Sequence, residues 1–350
     1  EDVETRAAGE TFEADVQIQG RGNSSWSGSP KKSYRLKFDQ KVSLLDEPQD
    51  KSWVLLANYF DKTSIRNATA FYISQISNLD YTPRSHFVEL MLNGRYNGTY
   101  QLTEKLKLAK NRVNVGEDGY LLQVDAHSGG EPATFYVSHI RYPFKIEDSS
   151  LDLTPERIEY VRKYVAEADS ILYSDNFTDQ QTGWQKYMDM DSFVDWYLVN
   201  EIAKNNDAHG FSSCYLNMQH GGKLKYGPCW DFDIAFGNID YSNCYSSDGF
   251  WIKISSPWFS RLFQNPAFVA KVKERYDYFY SRKEDIMNNI NLNATYLKRS
   301  VVENENRWGT LYTYTWPNYD IWGSYQNEVQ RMKVWLSERM EWLKTEFDKL

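Results

Sequence analysis

Lys204-Asn205-Asn206-Asp207-Ala208-His209-Gly210, followed by Gly227-Pro228-Cys229-Trp230-Asp231-Phe232-Asp233, is the pair of stretches whose reading decides the fold. The first closes an apolar helical pattern, and the second follows a short strand pattern. Asp231 and Asp233 flank Phe232 and come after Pro228-Cys229-Trp230, so carboxylates stand inside an apolar stretch. Buried carboxylates are costly unless they are paired or bind a metal. Mg²⁺ takes one or two carboxylates together with substrate phosphates, which suits acids delivered by separate segments. One Asp can then orient a hydroxyl while another holds the cation beside the phosphates. The pattern points to phosphoryl transfer.

Working outward, Met190-Asp191-Ser192 opens the helix that leads to Asp207, through Phe193, Trp196, Tyr197, Val199 and Ile202. Residues 214–216 and 224–226 read as a hairpin around Gly221-Gly222. Thr154 before Pro155 is a helix start, with the threonine as cap and the proline in the first turn. That helix runs through Ile158, Val161, Val165, Ala168 and Ile171. From Tyr325 onward, Val329, Met332, Trp335, Leu336, Met340, Leu343 and Phe347 form one stripe, read as core packing. The first 150 residues read differently. Alternating patterns predict strands at 14–19 and 33–38, with Val16 and Ile18 on one face of the first. Short apolar runs predict more at 53–56, 119–124, 134–137 and 142–146. Asn93-Gly94 predicts a hairpin between 86–92 and 96–103. A helix is expected over 61–77. A strand-rich part (1–150) and a helical part (151–350) predict an α+β, two-lobed, protein-kinase-like fold with its site in the cleft.

The composition narrows the partners. A net charge of −8 over 350 residues provides no basic stripe for nucleic acid. No run of 18 apolar residues occurs, so no membrane span is predicted. The 26 Tyr, 12 Trp and 18 Phe suit a large core and also sugar or peptide grooves. Cys214, Cys229 and Cys244 match no zinc spacing, and their odd count leaves at least one unpaired within the chain. Five Asn-x-Ser/Thr sequons, at Asn23, Asn67, Asn97, Asn176 and Asn293, matter only in a eukaryotic secretory setting. The opening Glu1-Asp2-Val3-Glu4 is neither Met nor a leader peptide and reads as a trimmed chain.

Between the first two strands lies Arg21-Gly22-Asn23-Ser24-Ser25, whose small residues and donors suit a phosphate loop. Its alternative is an ordinary Gly/Ser turn. Lys37, on the next strand, is the expected cation for the α- and β-phosphates, sharing its face with Arg35; a solvated basic edge is the alternative. The helix at 61–77 has no Glu to hold such a lysine, which leaves Glu89 or Glu104. Arg66 either faces the phosphates or pairs with an acid. His209 reads as a structural hydrogen-bonder.

Several ordered motifs resemble those of the CotH kinase family, the spore-coat-protein-H-like atypical kinases. They are Arg21-Gly22-Asn23-Ser24-Ser25-Trp26, Pro30-Lys31-Lys32-Ser33-Tyr34-Arg35-Leu36-Lys37, Trp53-Val54-Leu55-Leu56-Ala57-Asn58-Tyr59 with Arg66-Asn67, Leu92-Asn93-Gly94 with Tyr96-Asn97-Gly98-Thr99-Tyr100, and Gly227-Pro228 leading to Trp230-Asp231-Phe232-Asp233. The resemblance implies ATP with Mg²⁺ or Mn²⁺, transfer to Ser or Thr of a protein substrate, and a secreted, spore-coat or cell-surface location. The run around Asp207 is also similar to the Asn-x-Asp-x-His loop of HipA-like kinases. There an Asn five positions after the Asp binds a second metal; here Ser212 has that spacing.

The expected assignments are therefore Asp207 as base, Asp231 and Asp233 with Ser212 at the metal, and Arg21, Gly22, Asn23, Ser24, Ser25, Lys37 and Glu104 at the nucleotide. The rival expectation is an inactive extracellular pseudokinase or adhesin-like module that binds protein or glycan. A small-molecule kinase is a third.

Overall fold

Strand alternation builds the first layer. The computed structural model describes residues 13–350; the Glu1-Asp2-Val3-Glu4 opening lies outside them. Strands β1 (Val16–Arg21), β2 (Ser33–Val42), β3 (Asp50–Leu56), β4 (Ser85–Leu92) and β5 (Arg95–Glu104) form an antiparallel sheet ordered β1-β2-β3-β5-β4. Helices α1 (Ser24–Ser27) and α2 (Arg66–Gln75) interrupt them. Successive side chains of a strand face opposite ways. On β3, Trp53 and Leu55 join Phe38, Tyr100 and Leu102 in a small core, while Val54 and Leu56 enter the main core on the other side. Val16 and Ile18, on edge strand β1, stay exposed. Asn93 and Gly94 adopt φ of 52° and 72°, the left-handed pair that a tight hairpin turn demands.

The second antiparallel sheet draws on both sides of residue 150. It contains β6 (Gly119–Val124), β7 (Thr134–Phe135), β8 (Phe144–Ser149), β9 (Cys214–Gln219) and β10 (Lys225–Tyr226), ordered β10-β9-β6-β8-β7. Central β6 is buried along its length, with Leu122 opposite Leu216 of β9.

The remaining helices are α3 (Pro155–Leu172), α4 (Met190–Ala203), α5 (Ile252–Ser255), α6 (Pro257–Leu262), α7 (Pro266–Ser281), α8 (Lys283–Tyr296), α9 (Lys298–Trp308) and α10 (Tyr325–Asp348). Two five-stranded antiparallel sheets and ten α-helices among the described residues make the fold α+β. Helix α4 is buried almost all round because α2, α5, α7 and α10 surround it, as a helix without a polar face requires. The stripe from Val329 to Phe347 on α10 is buried as expected. All three cysteines are free and buried.

The sequence reading places no helix between 204 and 324, where α5 to α9 lie, and begins α2 too early. Helix α2 begins at Arg66, not at 61, because the Asp61 carboxylate first closes a turn by accepting from Thr63 N and Arg66 N at 3.0 and 2.8 Å. Helix α9 has no buried residue, and Val301 is its contact with the main core. It is held on β5 by polar contacts: Asn304 Oδ1 accepts from Thr99 N, and Trp308 Nε1 donates to Asn97 O.

The helices are locked by a fully buried ion pair. Arg339 of α10 donates to Glu201 of α4 at 2.7 Å, and also to Ser247 O and Gly249 O. Glu201 in turn accepts from Trp251, Ile252 and Lys253 N, capping α5. Breaking a buried pair leaves one charge uncompensated. Arg339→Met is expected to lower the unfolding free energy by about 3–5 kcal/mol in a denaturant titration; a loss below about 1 kcal/mol would contradict this role.

Candidate active site

Asp207 owes its position to the way α4 ends. Lys204 adopts φ 47° as the helix C-cap, and its Nζ is pinned by the carbonyls of Asn243 and Ser246 at 2.9 Å. The turn Asn206–His209 follows at once. Asn206 Nδ2 donates to Asp207 Oδ1 at 2.7 Å, and His209 Nδ1 donates to Asn206 O at 2.6 Å. His209 is thus a structural hydrogen-bonder.

The second acidic segment is tied to both layers. Asn205 Nδ2 donates to Asp231 O at 3.1 Å, and Phe232 N donates to Asn67 Oδ1 of α2 at 2.8 Å. Asn238 Nδ2 donates to Asp233 O at 2.8 Å. Arg66 Nε donates to Ala235 O at 3.1 Å while its Nη1 pairs with Asp61. Arg66 therefore carries the acidic loop and does not face the cavity. Ser213 Oγ donates to Asp231 Oδ2 at 3.0 Å.

These segments enclose a cavity of about 450 Å³. One wall is the phosphate-loop candidate, all of whose residues from Arg21 to Ser25 line it. Gly22 is needed there: its φ is 101°, and a Cβ would stand 2.1 Å from Ser25 Oγ. Asp207, Ser212, Asp231 and Asp233 line the same cavity. Arg35, Lys105, Glu147 and Asp125 complete the polar lining, with Val54, Leu106 and Trp230 as an apolar flank.

The acids crowd one another. Burial pushes the Asp207 carboxyl up to about 6, with Asp231 and Asp125 adding to the rise and the Asn206 amide opposing it. Burial, then Asp231, Asp61 and Asp207, holds Asp233 well above the usual carboxylate range. Lys105 is lowered by burial and then by Arg35, while Glu147, 3.9 Å away, acts in the other direction.

Among the described residues, no three His, Cys, Asp or Glu side chains form a group able to cage a metal unaided. The donor set still suits a divalent cation shared with phosphates, which needs only one or two protein carboxylates. Carboxylates that raise one another, in a lining that also holds Arg35 and Lys105, are the observation behind that fit.

The family model for CotH kinase protein matches residues 18–343. The chain belongs to the CotH kinase family. No curated protein matches it closely enough to count as a relative. For a member of this family, kinase chemistry is the activity to test against the cavity.

Of the residues expected from the sequence, Arg21, Gly22, Asn23, Ser24, Ser25, Asp207, Ser212, Asp231 and Asp233 all meet at this one cavity. Lys37 and Glu104 do not. Lys37 is exposed and lies opposite Ser52, two pairs beyond Arg35, which lies opposite Val54 and lines the cavity. Glu104 is buried elsewhere, bound to Arg84, Arg112 and Tyr81 OH. Sequence reasoning missed Lys105, Glu147 and Asp125. Lys105 directly follows β5 and Asp125 directly follows β6, and a charged residue at a strand end is the one signal that marks them. Asp125 accepts from Ser212 Oγ at 3.3 Å and from Gln123 Nε2 at 3.0 Å, so Ser212 is bound to an acid other than Asp207, Asp231 and Asp233.

A pH dependence follows. Folding raises Asp207 from 3.8 to about 6, so the folded state keeps a proton that the unfolded chain releases. The stability this proton contributes is complete below the unfolded value and is lost as pH rises through 6. Asp207→Asn is therefore expected to stabilise the ligand-free protein by about 1–3 kcal/mol at pH 8 and to give no gain at pH 4. Chemical denaturation at both pH values checks it; equal effects at both would contradict it.

Proposed function

We propose that this CotH-family chain is an ATP-dependent protein kinase that transfers the γ-phosphoryl group to Ser or Thr of a polypeptide. In this reading the strand-rich and helical parts act as two kinase-like lobes around the cavity. The observation that carries it is the convergence of Asp207, Asp231 and Asp233 with the phosphate-loop residues Arg21, Gly22, Asn23, Ser24 and Ser25 on a single cavity.

Each residue then has a role that its surroundings support. Asp207 orients the acceptor hydroxyl and takes its proton; a carboxyl raised to about 6 is a better base near neutral pH than an ordinary one. Asp231 and Asp233 would hold Mg²⁺ or Mn²⁺. Such a cation, when bound, neutralises charge across the phosphates. Arg35 and Lys105 take the cationic role expected of Lys37, and Glu147 takes the partner role expected of Glu104. The small residues of the loop let its backbone approach the phosphates. The apolar flank of Val54, Leu106 and Trp230 suits the faces of a base.

The test is transfer from labelled ATP, with Mg²⁺ or Mn²⁺, to the chain itself and to a Ser/Thr-rich protein. Asp207→Ala and Asp231→Ala are expected to lose on the order of 10²–10⁴-fold in rate. Lys105→Ala is expected to lose at least about tenfold and Lys37→Ala less than about twofold. Equal incorporation by wild type and both Asp variants would remove the acids from the mechanism. A nucleotide that stabilises only the folded state raises the melting temperature. A metal-dependent rise with ATP is expected of the kinase; its absence at millimolar ATP favours the non-catalytic module.

A further inference from the structure

Two stacked aromatic pairs link the segments around 241–245 and 316–319, and the first pair lines the cavity. Tyr241 lies on Trp316 with ring centroids 5.7 Å apart and planes at 16°, and Tyr245 lies on Tyr319 at 4.7 Å and 10°. The pairs join two segments in step, 241 to 245 on one and 316 to 319 on the other. Tyr241 and Trp316 line the same cavity as Asp207 and Asp233. The rings remain open to solvent: Trp316 is 50% exposed, and Tyr312 of the same segment is 70% exposed. A cluster of exposed large aromatics on a polar surface marks a place where something docks.

This platform is fixed before anything binds. Segment 309–323 has no regular secondary structure, yet its backbone is anchored throughout. Glu305 accepts from Thr310 N and Leu311 N, each at 2.9 Å. Lys62 Nζ donates to Thr313 O at 2.9 Å, and Asn318 Nδ2 donates to Phe60 O at 2.5 Å. Phe60 sets its ring edge-on to Trp316 at 6.4 Å, and Tyr314 OH donates to Asp240. Rings that are already held lose little freedom on binding. Asp240 and Asp320 are exposed on the two segments, and Asp207 and Asp231 line the cavity at the inner end; against Lys62 at Thr313 and Arg331 beside Tyr319, the carboxylates are in excess.

We propose that this platform seats the acceptor: an extended polypeptide segment that presents proline or aromatic side chains beside its Ser or Thr and lacks acidic residues there. The proposal rests on the phosphotransfer reading above. An acceptor hydroxyl must reach Asp207 from solvent, and the platform continues the lining of that cavity. Rows of exposed aromatic rings form the shallow slots on which extended, proline-bearing segments dock, at low entropic cost because such segments are already stiff. Like charges across an interface are costly, so the surrounding carboxylates reject an acidic segment.

Short fluorescent peptides with one Ser flanked by Pro and Tyr, by Gly, or by Glu test this with the full chain. Binding is read by anisotropy and phosphate transfer is measured in parallel. Wild type is expected to bind the Pro/Tyr peptide at least about tenfold more tightly than the Gly peptide, and the Glu peptide not measurably. Tyr245→Ala/Tyr319→Ala, which alters the outer pair only, is expected to lose about tenfold in affinity and to raise KM by that factor with kcat unchanged. Its ATP-dependent rise in melting temperature should match wild type, and Tyr319→Ser alone serves if the double variant does not fold. Equal wild-type affinity for all three peptides, unchanged affinity in the variant, or binding of a cello-oligosaccharide in place of the peptides would overturn the proposal. Selective peptide binding without any transfer would remove the phosphotransfer reading and leave the docking surface standing.

Discussion

Asp231 is held on a left-handed backbone from both sides, and the geometry of the cleft depends on that clamp. Its φ is 70°, a conformation that costs an ordinary residue about 1–2 kcal/mol and that Asp tolerates better than most. Such backbones persist only where the surroundings over-determine them. Here the Asn205 amide, just beyond α4, binds the Asp231 carbonyl, and Asn67 of α2 takes the next N–H. The Ser213 hydroxyl binds the carboxylate itself. One strained residue thus ties α2 of the strand-rich part to the acids of the helical part.

The same arrangement concentrates negative charge at one cavity. Asp207 and Asp233 are both raised, each partly by its neighbours. The frame that tolerates this is built of satisfied buried ion pairs, Asp61 with Arg66 and Glu201 with Arg339. Each of these also binds backbone groups: Arg66 holds Ala235 O, and Glu201 caps the first turn of α5. Stability resides in the pairs, whereas the unpaired acids carry the cost of a site made to receive positive charge. That division is common where function and folding compete.

Local patterns were the legible part of this chain. The Asn93-Gly94 hairpin, the Thr154-Pro155 helix start and the α10 stripe are patterns within one element, and each is found where the pattern puts it. Alternation on β2 separated Arg35 and Lys37 from Tyr34 and Leu36, but could not say which cation stands over the cavity. That choice depends on where the second sheet ends, through pairings such as Leu122 with Leu216. The pairing of Lys105, just after β5, with Glu147 of β8 was out of reach for the same reason, since the two meet only after packing. Glu104 was misplaced because a buried Glu with two arginine partners reads in sequence like any strand-end carboxylate.

Anomalous scattering from Mn²⁺ in crystals grown with a non-hydrolysable ATP analogue would test the central claim most directly. A manganese peak is expected within coordination distance of the Asp231 or Asp233 carboxylate, with the triphosphate between the 21–25 loop and Lys105. Nucleotide and metal bound away from these acids, or at no ordered position, would contradict it.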